Sequence, residues 1–207
     1  MIRQMFLVLV LLSISACADD GLHLQSREQQ IVNWHRRITE DDRARLRHWR
    51  TRMIAALEAA RASNSREIDG SGVILQPDTA LEPVTFGVGQ YRCQVLKIGA
   101  QDTSSPAFRA LPTTRCVVTQ EGRLLHFMTS GGPQRIQGMV YADNSRRMIL
   151  LGTIMLGDEA MAQMYGHDTT RDIIGIVERV GDHHWRILCP SPHFESLFDV
   201  IDISPAE

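Results

Sequence analysis

Residues 91 to 203 repeat one pattern. Apolar and polar side chains alternate through short segments at 91–98, 114–119, 123–129, 135–141, 147–156, 172–180, 184–189 and 197–203, and a period of two is the signature of strands with a buried face. Turn residues such as Glu121-Gly122, Asp143-Asn144 and Gly181-Asp182 separate them, and connections this short join antiparallel neighbours. Eight sequential antiparallel strands close an up-and-down barrel with room inside for side chains or one small ligand. The predicted fold is therefore mainly β, an eight-stranded antiparallel up-and-down barrel over residues 73–204, with a two-sheet β-sandwich as the alternative.

Segment 147–156 adds a constraint. Met148, Leu150 and Ile154 fall on one side and Ile149, Leu151 and Met155 on the other, so both faces need cover. The available cover is a helix predicted over 39–62. Thr39 stands at its N-cap, Glu40, Asp41 and Asp42 face the positive end of its dipole, and Leu46, Trp49, Met53, Leu57 and Ala60 form one apolar stripe. Arg43, Arg47, Arg50 and Arg61 read as a solvated face in preference to a reader of anionic lipid. No second helical pattern of similar strength occurs in the sequence, so one long N-terminal amphipathic helix packs outside a barrel of the lipocalin or calycin type. Ser63 to Gly72 is expected to be loop by composition.

The first residues are an address rather than part of the fold. Met1-Ile2-Arg3-Gln4 precedes an apolar run from Met5 to Leu12 and then Ser13-Ile14-Ser15-Ala16-Cys17. This is a secretory signal, too short for a bilayer-spanning helix of roughly 20 residues. Ile14-Ser15-Ala16-Cys17 resembles the lipobox of bacterial lipoproteins. That resemblance implies a signal peptide at 1–16, an acylated Cys17 that anchors the protein to a membrane, and a periplasmic location, with Ala18 favouring the outer membrane over the inner; the polar stretch that follows reads as a tether over 17–38. An ordinary cleaved signal with an incidental cysteine is the alternative. Each buried CH₂ contributes about 0.8 kcal/mol, so several acyl chains make an anchor effectively permanent. Beyond the anchor, a chain that is 43% hydrophobic and 22% charged is a folded globular domain. Twenty-two basic against 24 acidic residues, a net charge of -2, exclude a nucleic-acid footprint.

Export places Cys93, Cys116 and Cys189 in an oxidising compartment. Cys93 and Cys116 lie in consecutive strand segments, which brings them within reach of a disulfide; two buried free thiols are the alternative. Cys189, before Pro190-Ser191-Pro192, reads as a buried inert thiol rather than a nucleophile with His193.

From Gly157 to Asp172 the strands are interrupted for far longer than a hairpin needs, which marks a lid or a binding edge. On the next strand Glu178 shares a face with Ile174, Ile176 and Val180, and Arg186 lies on the strand after it. A charge in such company must be paired. The candidate ligand-binding set is Tyr165 and Trp185 for apolar contact, with Arg171, Glu178 and Arg186 to orient a polar group; a structural plug is the favoured reading of Glu178 and its partner. A hydrolase would draw a carboxylate pair from Asp158, Glu159, Asp172 and Glu178. No catalytic residue is assigned, and no cofactor or metal is expected. Met128, Met139, Met148 and Met155 lie on strands as core fillers rather than copper ligands with Met161 and Met164. His183-His184 and His167-Asp168 lack a second ligand group at metal spacing, and the nucleophile-elbow, phosphate-loop and dinucleotide motifs do not occur.

The runs Asp42-Arg43-Ala44-Arg45-Leu46-Arg47-His48-Trp49-Arg50, Tyr91-Arg92-Cys93, Leu151-Gly152-Thr153, Gly157-Asp158-Glu159, Tyr165-Gly166, Arg171-Asp172, Glu178-Arg179, Trp185-Arg186 and Glu195-Ser196 together resemble the bacterial proteins grouped as domain of unknown function 4893. The resemblance covers most of residues 39 to 203 and carries no activity. It implies an exported protein, often a lipoprotein, and adds weight to pairing Cys93 with Cys116; Cys189 departs from the pattern, where an apolar residue is more usual. The function read from all this is non-enzymatic binding of a small or lipid-like ligand or of an envelope protein partner. A periplasmic hydrolase and a structural or inhibitory protein with a filled barrel are the alternatives.

Overall fold

The computed structural model describes residues 33–157 and 159–206. The signal segment 1–16, Cys17, the tether up to residue 32, and Asp158 lie outside the described residues.

The strands are β1 (Gly89–Ala100), β2 (Phe108–Ala110), β3 (Thr114–Glu121), β4 (Leu124–Ser130), β5 (Gln134–Ala142), β6 (Arg147–Leu156), β7 (Asp172–Gly181), β8 (His184–Pro190) and β9 (Ser196–Pro205). From β3 onwards each pairs antiparallel with the next, and β3 pairs with the first part of β1. β1 then pairs with β9 from Tyr91↔Pro205 to Ala100↔Ser196. That last pairing closes the sheet into the expected eight-stranded barrel and leaves no place for a sandwich. Closure demands strong coiling, visible where Gly138 faces Gly152: a Cβ on Gly138 would sit 2.4 Å from the Gly152 Cα. β2 is an unexpected addition. It pairs with β1 from Leu96↔Ala110 to Ile98↔Phe108, on the edge that β1 exposes after its last ladder pair with β3, Cys93↔Thr114.

Alternation sorts the strand residues into two cores. Inside the barrel lie Cys93, Cys116, Phe127, Leu150, Val177 and Ile201 with their neighbours. Outside, Leu96, Ile98, Leu188, Phe198 and Val200 meet the helices. The predicted single helix is two: α1 (Glu40–Arg47) and α2 (Trp49–Gly70), parted at His48 with φ -108° and ψ 12°. Thr39 caps α1 as expected, accepting from the Asp42 amide. Residues 63–70, expected as loop, are helical apart from Asn64, because Ile68 at 2% exposure anchors the last turns to the core and packing overrides local propensity. α2 lies against β1, β8 and β9, and α1 against β7. The outer residues Ile149 and Leu151 of β6 share their cluster with Trp34 and Ile38, which belong to the stretch expected as tether; Trp34 donates from Nε1 to Asp143 Oδ1 at 3.1 Å.

One end of the barrel is shut. The segment between α2 and β1 crosses it, with Leu81 bridged to Arg179, and lowers Phe86 among Tyr91, Phe127 and Trp185 with ring centroids 5.6–6.3 Å away. The other end carries the β4–β5 and β8–β9 turns and the long β6–β7 connection.

Candidate ligand site at the barrel mouth

Alternation along β1 points Tyr91, Cys93, Val95 and Lys97 inward, and along β9 it points Ile203, Ile201 and Asp199 inward. The register pairs Lys97 with Asp199, so the top of an apolar interior holds a buried charge pair. Lys97 is 4% exposed, and its Nζ lies 3.3 Å from Asp199 Oδ2 and 3.2 Å from Glu195 Oε2. Arg109, on β2, donates from Nη2 to the same Glu195 oxygen at 2.8 Å. Ser196 Oγ donates to Asp199 Oδ1. Burial pushes the Asp199 carboxyl up, opposed by Lys97 and Ser196. Burial acts upward on Glu195 too, but its bond to Lys97 and the charges of Lys97 and Arg109 hold it below the usual carboxylate range.

Lys97, Arg109 and Glu195 form one wall of a pocket of about 410 Å³. Val95, Leu111, Pro112 and Pro133 line it, with Thr114 and Thr129. The pocket exists because β1 leaves β3 at Cys93 and takes up β2, opening the rim at that point. Gly99, with φ +68°, follows the last β1–β2 pair, and a Cβ there would meet Leu197 Cδ1 at 2.8 Å. The rim is held by Gln101, whose Nε2 donates to the carbonyls of Pro192 and Ser196 at 2.7 and 2.8 Å.

The candidate residues from the sequence do not converge on this or any one place. Adjacent strand positions face opposite ways, so the barrel wall separates Trp185 from Arg186. Trp185 is inside at the shut end, donating to the Thr85 carbonyl. Glu178 and Arg186 pair outside the wall, where Arg186 Nε and Nη2 donate to Glu178 Oε2 at 2.9 and 2.7 Å. Arg186 Nη1 donates to the carbonyls of Val73, Ile74 and Gln76, an arrangement that pins the chain after α2. Arg171 pairs with Glu159 at 3.1 Å. Tyr165 donates to Asp42 Oδ2 and accepts from the Thr39 amide at 3.2 Å, tying the β6–β7 connection to the start of α1. Tyr165 also borders a groove of about 710 Å³ on the outer face of β4 to β6, with Met139, Tyr141 and Thr153.

Of the carboxylates, Glu159 is held below the usual range by the Leu156 amide and Arg171. Asp172 is raised by burial, with the nearby Asp42 charge adding to it. Asp42 and Asp172 are both buried and border neither the mouth pocket nor the outer groove. Cys93 and Cys116 are joined by a disulfide. Cys189 lies buried inside the barrel opposite Asp199, and burial drives its thiol far above the usual range.

A family model described as Domain of unknown function (DUF4893) matches residues 34–203. The chain belongs to this family. Nothing among curated proteins or among solved structures matches it. The DUF4893 match runs from Trp34 into β9, so both helices, the barrel and the mouth pocket fall within it. Its description names no activity, and the geometry of the mouth is what speaks to function. Lys97, Arg109, Glu195 and Asp199 escape a reading of the DUF4893 sequence that looks for polar residues among apolar strand neighbours near the long loop. The available signal was the inward register of Lys97 after Cys93 and Val95.

Proposed function

We propose that this protein is an exported barrel, held at the periplasmic face by a lipid on Cys17, with the outer membrane favoured, that binds a small amphiphilic or lipid-like molecule without altering it. The observation that carries the reading is the mouth pocket. Its size, about 410 Å³, falls in the roughly 300–1,000 Å³ range of ligand sites, and its few convergent polar groups among apolar walls are what such sites use for orientation. The aromatic plug at the far end makes it a blind pocket rather than a channel. The lipobox-like run before Cys17 supports the anchor.

The test is to express the full chain in a bacterium with two membranes, solubilise it gently and weigh it intact by native mass spectrometry. The expected result is one small molecule above the mass of the lipidated chain, lost when Leu111→Trp fills the pocket. The mass of the lipidated chain alone, unchanged by that substitution, overturns the binding reading. A fatty-acid label carried by the parent and absent from Cys17→Ser is expected for the anchor; a parent chain that takes up no label overturns it. A second reading, an envelope protein partner on the outer face, is favoured by the groove beside Tyr165, where Met164 stands 79% exposed.

A further inference from the structure

The charge pattern of the mouth selects the head group of its ligand. A buried ammonium needs an anion, and Lys97 has two. Asp199 is fixed within the barrel by its β9 register and by Ser196. Glu195 differs: its side chain is 40% exposed, and it sits on the β8–β9 turn at φ 67°, a conformation that non-glycine residues adopt sparingly. It reaches in from the rim to place one oxygen between Lys97 Nζ and Arg109 Nη2. Arg109 Nε is shielded from solvent and has no acceptor among the described residues.

Resting on the reading of the mouth as a ligand site, we propose that the ligand is a single-chain amphiphile with a carboxylate head, which takes the place of the Glu195 carboxylate between Lys97 and Arg109. With Glu195 turned outward, Lys97, Arg109 and Asp199 leave one positive charge, which one carboxylate neutralises. The guanidinium fork matches the two oxygens of that group, including the donor now without a partner. The chain of the amphiphile lies along Val95, Leu111 and Pro133. A cationic head meets two cations and is repelled. A neutral head brings no charge to balance the two cations and leaves Glu195 in place.

The experiment is calorimetric titration of the full chain carrying Cys17→Ser, so that no lipid of its own competes, with dodecanoic acid, 1-dodecanol and dodecyltrimethylammonium. The acid is expected to bind at least ~10-fold more tightly than the alcohol, the worth of a charge-assisted hydrogen bond, and the cation more weakly than both. Glu195→Gln removes the competing anion and is expected to tighten the acid by about tenfold. Arg109→Gln, a half-exposed change that spares the fold, is expected to bring acid and alcohol to within about threefold of each other. An alcohol that binds as well as the acid, or a Glu195→Gln chain that binds the acid more weakly, overturns the carboxylate assignment and leaves the pocket standing. Absence of binding by all three overturns both.

Discussion

Arg186 has no exposed surface, yet Nε, Nη1 and Nη2 all donate, to one carboxylate and to three backbone carbonyls. A buried ion pair of this kind adds little when compared with an apolar pair of the same volume, but removing one partner strands the other. Arg186→Met therefore leaves Glu178 buried and unpaired and uncovers three acceptors behind α2. The expected loss is about 3–5 kcal/mol, read as a lowered urea midpoint. A loss below about 1 kcal/mol, the range of a surface pair, would show that water replaces the guanidinium. The sequence made this pair legible, because Glu178 falls among Ile174, Ile176 and Val180 and its cross-strand partner follows from register. It did not make the location legible: inside and outside are both apolar for β7, so alternation alone cannot say which face looks at the barrel interior.

At the scale of elements, the strands were readable because each carries several alternating positions, whereas β2 has three residues flanked by Ser104-Ser105-Pro106 and no pattern to read. The break at His48 was hidden for a different reason: the apolar stripe continues across it, from Leu46 to Met53, so periodicity alone does not register the kink. The β6–β7 connection is no loose lid. Tyr165, Thr39 and Asp42 join it to α1, and the Gly166 amide donates to Asp172 Oδ1 at 2.9 Å. Tyr165→Phe removes a bond to a charged acceptor and should cost about 1.5–3 kcal/mol, with faster protease cleavage between 159 and 170 as the direct sign of a freed connection. An unchanged cleavage rate would refute the tie.

Asp172 supplies a second prediction at the same scale, with its sign worked through. Burial, together with the Asp42 charge, raises its native pKa above the ordinary value of 3.8. The native state therefore holds this proton more tightly than the unfolded chain does. The associated stability is fully present below the ordinary value and is lost as pH rises through the native one. Asp172→Asn keeps an acceptor for Gly166 and carries no charge. Its unfolding free energy relative to the parent should climb as pH rises above 3.8 and be flat below it, measured by urea denaturation across a pH series. A difference independent of pH would mean that the carboxyl titrates normally.

For the whole molecule, the seam between β1 and β3 is the place where closure and function meet. The barrel is complete only if β1 holds β9 on one side and β3 on the other, and the β3 side has the shorter ladder, from Gly89↔Val118 to Cys93↔Thr114. The disulfide joins Cys93 to Cys116 at the end of that ladder, with Cα atoms 5.9 Å apart and both sulfurs inside the barrel. Just above it β1 turns to β2, and Val95 and Thr114 become the wall of the mouth. The crosslink thus fixes how far the mouth can open. The chain-entropy model gives a loop of this length about 3 kcal/mol, or roughly 6–12 °C in Tm for a chain of this size. Reductant is expected to lower Tm by that amount in the parent and to leave the Cys93→Ala/Cys116→Ala chain unmoved, while Cys189→Ala, which removes a thiol outside the bond, responds as the parent does. If reductant leaves the parent Tm unchanged, the seam is held by its ladder alone and the mouth owes its width to β2.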